Sequence, residues 1–210
     1  MEGGVFVKII GLTGPSGAGK SRICVHLAKE GFPSINADHI YHKLLTPPSP
    51  CLDAIAEYFG DSVIKPDGSL DRRALASVVF AEGAEDKHEA LNRITHHFVI
   101  EKMLELIEKY SSAPVSAIIV DVPLLFESEF HKKCDLTVAV LANRQVRIDR
   151  IMNRDGIDYA AASARVSAQQ PDEFYTSRAD VTVYNNSDEA ALDTEAEKII
   201  AIIREMSHET

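Results

Sequence analysis

Four residues near the start of the chain have the spacing of a phosphate-binding loop. Gly14, Gly19, Lys20 and Ser21 match the pattern G-x-x-x-x-G-K-[ST] within the stretch "GLTGPSGAGKS". In such a loop, backbone N–H groups of a glycine-rich turn and the N-terminal end of the next helix hold phosphate oxygens. The lysine reaches the β and γ phosphates of a nucleotide, and the neighbouring hydroxyl binds Mg²⁺. The predicted nucleotide contacts are Gly14, Gly17, Ala18, Gly19, Lys20, Ser21 and Arg22.

A carboxylate further along the chain could bind the metal that accompanies a nucleotide. The apolar run "AIIVD" ends at Asp121. An aspartate at the end of a strand beside the loop commonly orients Mg²⁺ or its water shell. Aspartate also ends many strands for ordinary turn reasons, but the presence of the loop favours the metal role. Ser21 and Asp121 are therefore the predicted Mg²⁺ ligands.

The residues that follow Asp121 argue against a switch GTPase. Such a protein is expected to carry D-x-x-G at this point and an [NT]-K-x-D element that reads guanine. This chain has "DVPL" from Asp121 to Leu124. Its nearest approach to the second element is "KKCD", in which Lys132 replaces Asn or Thr. A nucleotide-dependent switch or adaptor stays as an alternative, and transfer of the phosphoryl group to an acceptor is favoured.

Transfer needs a carboxylate that orients or deprotonates the acceptor hydroxyl. Asp38, in "INADHIY", follows a short predicted strand and comes one helix and one turn after Ser21. That spacing would bring Asp38 back to the edge of the phosphate site. The alternative is that Asp38 only caps a helix that begins at His39.

Transfer also needs cations that neutralise the charge of the moving phosphoryl group. Arg147, Arg150 and Arg154 have i, i+3, i+7 spacing and therefore share one helical face. The segment after them, a turn and then a helix, could close over the nucleotide as a lid. Surface helices often carry such arginines as well, here with Asp149 and Asp155 available as ion-pair partners.

The elements that must position these residues alternate between short apolar runs and longer amphipathic segments, which predicts an α/β fold around a parallel sheet. The strands lack alternation, as expected when both faces of a sheet are covered. They are predicted at Val5–Leu12, Ala117–Val122, Leu136–Leu141 and Val181–Tyr184. Helices are predicted at 20–30, 38–45, 52–59, 72–80, 88–110, 144–154, 159–169 and 190–206.

The order of these elements predicts one domain over residues 1–210. Between Pro47 and Tyr110 the chain shows no convincing strand, so residues 47–112 are predicted to be a helical insertion on the substrate side. Residues 1–46 and 113–210 would form the core, with a lid at about 144–170.

Composition restricts the partners of this chain. The formal net charge is −10 and the pI is about 5.2, which argues against general binding to nucleic acid or to an anionic membrane. The three cysteines, Cys24, Cys51 and Cys134, have neither disulfide-framework nor zinc-site spacing. No apolar run reaches about 18 residues, and no basic leader precedes "VFVKIIGL". We therefore expect a cytoplasmic protein without a membrane partner, monomeric or weakly homo-oligomeric.

Taken in order, the motifs resemble the dephospho-coenzyme A kinase family over nearly the whole chain. The stretch "DVPLLFE" after the second strong strand is rather specific, and the order of the motifs is more so. The matching pieces are "GLTG" and "GKS" within Gly11–Ser21, "AD" at Ala37 and Asp38, "GSLDRRALASVVF" at Gly68–Phe80, His96, "DVPLLFE" at Asp121–Glu127, "RIMNRD" at Arg150–Asp155, Gln169, and "ADVTVYNN" at Ala179–Asn186.

The resemblance implies a fold of the nucleoside-monophosphate-kinase type. It also implies an enzyme that uses ATP and Mg²⁺ to phosphorylate the ribose 3′-hydroxyl of dephospho-coenzyme A in the last step of coenzyme A synthesis. By the same resemblance, Lys20, Asp38, Arg150 and Arg154 are the catalytic residues, with Asp38 facing the acceptor hydroxyl and the two arginines on the lid over ATP. The acceptor pocket would be lined by Asp38, Arg72, Phe80, His96, Leu124, Leu125 and Phe126.

The chain departs from the family pattern at several positions. Asn36 stands where the family usually has a second acid, so Asp38 is alone as a candidate base. His97 follows His96 in place of the usual proline, which leaves open which ring faces the ligand. The loop sequence "GPSGAGKS" is similar to guanylate kinases, the alternative among kinases. A guanylate kinase would carry an arginine-rich GMP-binding element soon after the first helix, and this chain has no arginine between Arg22 and Arg72.

Overall fold

The structure is a computed structural model that describes residues 7–186 and 189–208. Five strands of the described chain form one sheet in the order β2-β3-β1-β4-β5. The strands are β1 (Lys8–Thr13), β2 (Ser34–Asn36), β3 (Ala117–Asp121), β4 (Leu136–Leu141) and β5 (Val181–Tyr184). The pairs β1–β3, β1–β4 and β4–β5 are parallel, which confirms the predicted parallel sheet. Two residues of the first predicted strand, Val5 and Phe6, lie outside the described residues.

The middle of the sheet is apolar, and both of its faces are covered. Every residue of β3 and of β4 is buried, and the runs "AIIVD" and "LTVAVL" are rich in the β-branched residues that strands favour. The main core lies where β1, β4 and β5 pack against the first and last helices of the chain. Its members include Ile10, Leu12, Ile23, Leu27, Val138, Val140, Ile199 and Ile203.

Each helix predicted from the sequence is present, with ends that differ by up to three residues. The helices are α1 (Lys20–Lys29), α2 (Ala37–Leu44), α3 (Pro50–Phe59), α4 (Arg72–Val79), α5 (Glu85–Ser111), α6 (Arg144–Asp155), α7 (Tyr159–Ser167), α8 (Asp172–Thr176) and α9 (Glu189–His208). Short 3₁₀ turns lie at Asp61–Val63 and Phe130–Lys133. Helix α6 ends because Gly156 takes a left-handed conformation at its C-terminus. Helix α8 was not predicted, since its five residues are too few to show a period.

The chain divides into two compact units, Met1–Ile35 with Glu108–Thr210, and Asn36–Ile107. The first unit contains the phosphate-binding loop and helix α6. The second has its own apolar core, which is built from α3, α4 and the turn between them and includes Cys51, Ile55, Val63 and Leu75. The assignment of 47–112 as a substrate-side insertion stays a prediction.

None of the helices among the described residues is both long enough and apolar enough to cross a membrane.

Candidate active site

The loop between β1 and α1 needs glycine for two physical reasons. Gly14 and Gly19 have φ angles of 136° and 102°, which side chains disfavour. Their neighbours are also too close for a side chain. A Cβ on Gly14 would lie 2.1 Å from the carbonyl oxygen of Val140, and one on Gly19 would lie 2.1 Å from Nδ2 of Asn185. The loop is therefore pressed against the end of β4 and against the residue that follows β5.

This close approach makes Gly14→Ala a test of the loop geometry. The added methyl group would meet the backbone of β4, which cannot move away as a flexible side chain could. We expect the free energy of unfolding to fall by about 3 kcal/mol or more, as measured by urea denaturation without nucleotide. Gly156→Ala is the matched control, because Gly156 also has positive φ but no atom lies within 4 Å of an added Cβ. It should cost only about 1–2 kcal/mol, and equal losses in the two variants would contradict the prediction.

Positive side chains converge on this loop. The Lys20 ammonium donates a hydrogen bond of 2.6 Å to the carbonyl oxygen of Gly14 and so lies back across the loop. Arg150 Nη1 lies 3.2 Å from the carbonyl oxygen of Gly17. Burial, followed by the charge of Arg22, lowers the pKa of Arg150. Cations gathered at one loop of a chain with a net charge of −10 favour an anionic ligand there.

Asp121 lies at the edge of the sheet from which the loop starts. It is 4% exposed and pairs in register with Leu12 of β1, just before the loop. The thiol of Cys24, in α1, is affected by the charges of both Asp121 and Lys20. The pKa of this thiol is raised to about 12, chiefly by burial and also by the Asp121 carboxylate, while the Lys20 ammonium acts to lower it. Both charged groups therefore act electrostatically on Cys24.

The available metal ligands fit Mg²⁺ that arrives with a nucleotide. Among the described residues, no group of three or more His, Cys, Asp or Glu side chains could hold a metal ion by itself. Ser21 is exposed at the second position of α1, and Asp121 ends β3. One hydroxyl and one carboxylate leave most Mg²⁺ positions to phosphate oxygens and water, which is the usual manner of binding in kinases.

The three arginines of α6 that the sequence spacing singles out, Arg147, Arg150 and Arg154, all contact the loop. Arg147 is 5% exposed, and its Nε donates to the carbonyl oxygen of Ser16 at 3.1 Å. Arg150 bonds further along the loop, as described above. Arg154 is more exposed, with Nη2 3.3 Å from Oγ of Ser16 and an ion pair of 2.7 Å to Asp155. The face predicted from their spacing is therefore the face of α6 that meets the loop.

Asn185 is a further site residue that the sequence analysis did not single out. It is 3% exposed, and its Nδ2 donates to the carbonyl oxygen of Ala18 at 2.8 Å. Its Oδ1 accepts a 3.1 Å bond from Arg150, so one amide joins the loop to α6. The signal that could have found it is its place immediately after β5, because ligands of parallel sheets bind beyond the carboxyl ends of the strands.

In the second unit, the proposed base stands in the first turn of α2. Asn36 is the N-cap of this helix, and its side chain accepts a 2.8 Å bond from the His39 N–H. The alternative in which Asp38 caps the helix is therefore wrong. The Asp38 carboxylate is exposed and is not needed as the cap.

The other predicted acceptor contacts in this unit differ in exposure. Arg72 is exposed at the first position of α4. Phe80 is 74% exposed, and its ring centroid lies 5.5 Å from that of His88. His96 is half-buried, and burial lowers its pKa, which favours the neutral imidazole. His97 is exposed and lies edge-on to the ring of Phe98.

The motif "DVPLLFE" contributes packing as well as exposed surface to the first unit. Leu124 is 48% exposed, whereas Leu125 and Phe126 are buried. Leu125 packs against β1, because a Cβ on Gly11 would lie 3.0 Å from its Cδ2. Of the three predicted acceptor contacts in this motif, Leu124 alone presents a large area to solvent.

The parallel sheet, the glycine-rich loop and the arginines that meet it define a P-loop kinase. The family model for dephospho-CoA kinase matches residues 8–191. The dephospho-CoA kinase of Anaeromyxobacter dehalogenans is 38% identical, over 94% of this chain and 93% of the relative. That of Corynebacterium glutamicum is 35% identical, over 92% of this chain and 96% of the relative. The chain belongs to the dephospho-CoA kinase family.

Solved structures agree with this fold. A dephospho-CoA kinase from Campylobacter jejuni superposes with a TM-score of 0.68 at 28% identity, covering 94% of this chain and 98% of that one. A shikimate kinase from Acinetobacter baumannii has a TM-score of 0.55 at 17% identity, covering 95% and 94% of the two chains, and shows likeness of fold alone. The predicted fold class and kinase activity are confirmed, and neither the guanylate-kinase nor the switch alternative is favoured.

Proposed function

We propose that this kinase transfers the γ-phosphoryl group of ATP to the ribose 3′-hydroxyl of dephospho-CoA, giving coenzyme A and ADP. The observation that carries the proposal is the convergence of Lys20, Arg150 and Arg154 on the glycine-rich loop of a chain from this family. Local cations at a rigid loop can bind a triphosphate although the whole chain is acidic. The expected cytoplasmic location, the lack of a nucleic-acid partner and the monomeric or weakly oligomeric state stay predictions.

On the donor side, the residues of the loop would bind and orient the triphosphate. N–H groups of the loop and the first turn of α1 would hold phosphate oxygens. Lys20 would shift from the Gly14 carbonyl to the β and γ phosphates, where its charge offsets the charge that spreads over the transferred group. Arg150 and Arg154 reach the loop from α6 and would neutralise the same phosphates.

Magnesium would be held by Ser21 and Asp121 together with the phosphates. When bound, the ion would offset the negative charge of the triphosphate. The burial of Asp121 supports this role, because a buried carboxylate beside the loop gives a hard oxygen ligand in a place with little competing water.

On the acceptor side, Asp38 would orient or deprotonate the 3′-hydroxyl. Asn36 cannot share this role, because an amide is not a base and its oxygen already caps α2. The acceptor contacts proposed in the second unit suit the chemistry of dephospho-CoA. Arg72 is an exposed cation suited to a pyrophosphate, Phe80 offers an exposed aromatic face, and His96 is a half-buried hydrogen-bonding group.

A coupled assay of ADP release tests the reaction. With ATP and Mg²⁺ present, we expect turnover to require dephospho-CoA and to be close to background with GMP or with no acceptor. Chelation of Mg²⁺ should abolish the turnover. Faster turnover with GMP would favour a guanylate-kinase activity, and turnover that is independent of any acceptor would favour a nucleotide-hydrolysing switch.

A further inference from the structure

The backbone of Ser16, in the middle of the loop, is held from both sides by side chains of the lid segment. Its N–H donates to Oε1 of Gln169 at 3.0 Å. Its carbonyl oxygen accepts from Nε of Arg147 at 3.1 Å. The two side chains also bond to each other, since Nη2 of Arg147 lies 2.5 Å from the same Gln169 oxygen. The three residues therefore form a closed ring of hydrogen bonds.

Besides Ser16, the ring contains Arg147 of α6 and Gln169, which follows α7. Arg147 is 5% exposed, and a carboxylate oxygen of Asp172 lies 3.9 Å from its Nη1. Burial lowers the pKa of Arg147, but a guanidinium remains ionised at neutral pH. A buried cation without an acceptor is costly. Gln169 thus serves two donors at once, the guanidinium and the loop N–H.

The planarity of the peptide group gives this ring a consequence for ligand binding. In a trans peptide, the carbonyl of Ser16 and the N–H of Gly17 point in opposite directions. Because Arg147 fixes the carbonyl, it also fixes the Gly17 N–H to point away from α6. A Cβ on Gly17 would lie 2.8 Å from the carbonyl oxygen of Arg147, so this part of the loop is in close contact with the helix. The peptide has little freedom to rotate.

We propose that Gln169 is a positioning residue, which together with Arg147 sets the direction of the Gly17 N–H for the phosphates of ATP before the nucleotide binds. The proposal rests on the proposed function in taking this loop as the ATP site. It assigns no contact between Gln169 and either substrate. Gln169 acts through Ser16, and it also ties the end of the lid segment to the loop.

Two substitutions that keep the length of the Gln169 side chain distinguish loss of the hydrogen bond from loss of packing. Gln169→Met keeps the length of the side chain and removes the oxygen acceptor, whereas Gln169→Glu keeps an oxygen in the same place. We expect Gln169→Met to raise the Kd for ADP about tenfold, the loss of roughly one hydrogen bond to a charged group. Gln169→Glu should retain affinity better than Gln169→Met. Wild-type affinity in the Met variant, or equal losses in both variants, would overturn the proposal.

Controls separate this effect from a general loss of structure. Gln170→Met changes the exposed neighbour, which lies beyond the end of α7, and should leave the Kd within about twofold of wild type. The KM for dephospho-CoA should change little in Gln169→Met while the KM for ATP rises, a split that unfolding would not produce. In Gln169→Met the buried guanidinium of Arg147 loses the Gln169 oxygen as its acceptor, and this loss could prevent folding. The double variant Gln169→Met/Arg147→Met removes that cation as well. It should fold and bind ADP weakly, and wild-type affinity would refute the proposal.

The ADP titrations contain no acceptor, so they do not depend on the identity of the phosphorylated substrate. Wild-type protein that binds ADP but fails to phosphorylate dephospho-CoA would overturn the proposed function and leave the role of Gln169 to be decided by the variants. If the wild-type protein phosphorylates dephospho-CoA but Gln169→Met binds ADP with unchanged affinity, the proposed function stands and the role of Gln169 is overturned.

Discussion

Replacing Lys20 with alanine is expected to lower kcat about 10³-fold, with a much smaller change in the KM for dephospho-CoA. The ammonium lies across the loop in hydrogen-bond contact with the Gly14 carbonyl, the position from which it can reach the end of a bound triphosphate. Loss of one preorganised charge-stabilising donor typically costs about 10²–10³ in kcat. Because Lys20 also contacts the ground-state phosphates, the KM for ATP should rise as well.

Lys29→Ala is the matched control for this experiment. Lys29 is an exposed lysine at the last position of the same helix, far along α1 from the loop. Its replacement changes the net charge equally and should leave kcat within about twofold. Rates are measured with saturating ATP, Mg²⁺ and dephospho-CoA. A Lys20→Ala enzyme within a few-fold of wild type would show that Lys20 does not stabilise the transferred phosphoryl group.

Replacing Asp38 with asparagine is expected to lower kcat by about 10²–10⁴-fold, the usual contribution of a general base. Asparagine has nearly the same shape but cannot accept the proton of the acceptor hydroxyl. The cap of α2 is Asn36, so the loss of the carboxylate should leave the helix in place. The Kd for ATP, measured by calorimetry without acceptor, should stay nearly unchanged, since Asp38 is assigned to the acceptor.

Asp86→Asn provides a control with the same local structure. Asp86 is the second residue of α5, as Asp38 is of α2, and both are exposed. Each substitution removes a negative charge near a helix N-terminus, which costs about 0.3–1 kcal/mol of helix stability. Only Asp38→Asn should affect turnover. A large loss of ATP affinity in Asp38→Asn would place this residue on the donor side, and unchanged turnover would remove it from the mechanism.

The site combines a local motif with support from distant parts of the chain. Ser16 is bonded by Arg147 and Gln169, and Ala18 by Asn185. These contacts hold the loop at two separate points. A loop that is already ordered loses less conformational entropy when it binds phosphates than a flexible loop would. The arginines therefore serve two purposes, since Arg147 shapes the loop and Arg150 and Arg154 add charge beside it.

The amino-acid sequence alone was sufficient to predict the loop, the four longer strands, the longer helices and the family. These features depend on short-range patterns: the spacing of Gly14, Gly19 and Lys20, and the periods of strands and helices. The arginine face of α6 could also be predicted, because positions three and four apart lie together on any helix. The five-residue helix α8 was missed because a short segment has no measurable period.

Only the tertiary structure showed what supports the loop. Arg147 and Ser16 are 131 residues apart in sequence, and Asn185 and Ala18 are 167 apart. The order β1-β4-β5 brings these positions together, because parallel pairing gathers the carboxyl ends of the strands at one edge of the sheet. Burial of Leu125 was likewise decided by packing against β1, and Phe126 lies beside the rings of His131 and Phe174. A local pattern carries no information about which distant side chain will complete a hydrogen bond, so these contacts had to be found in the folded chain.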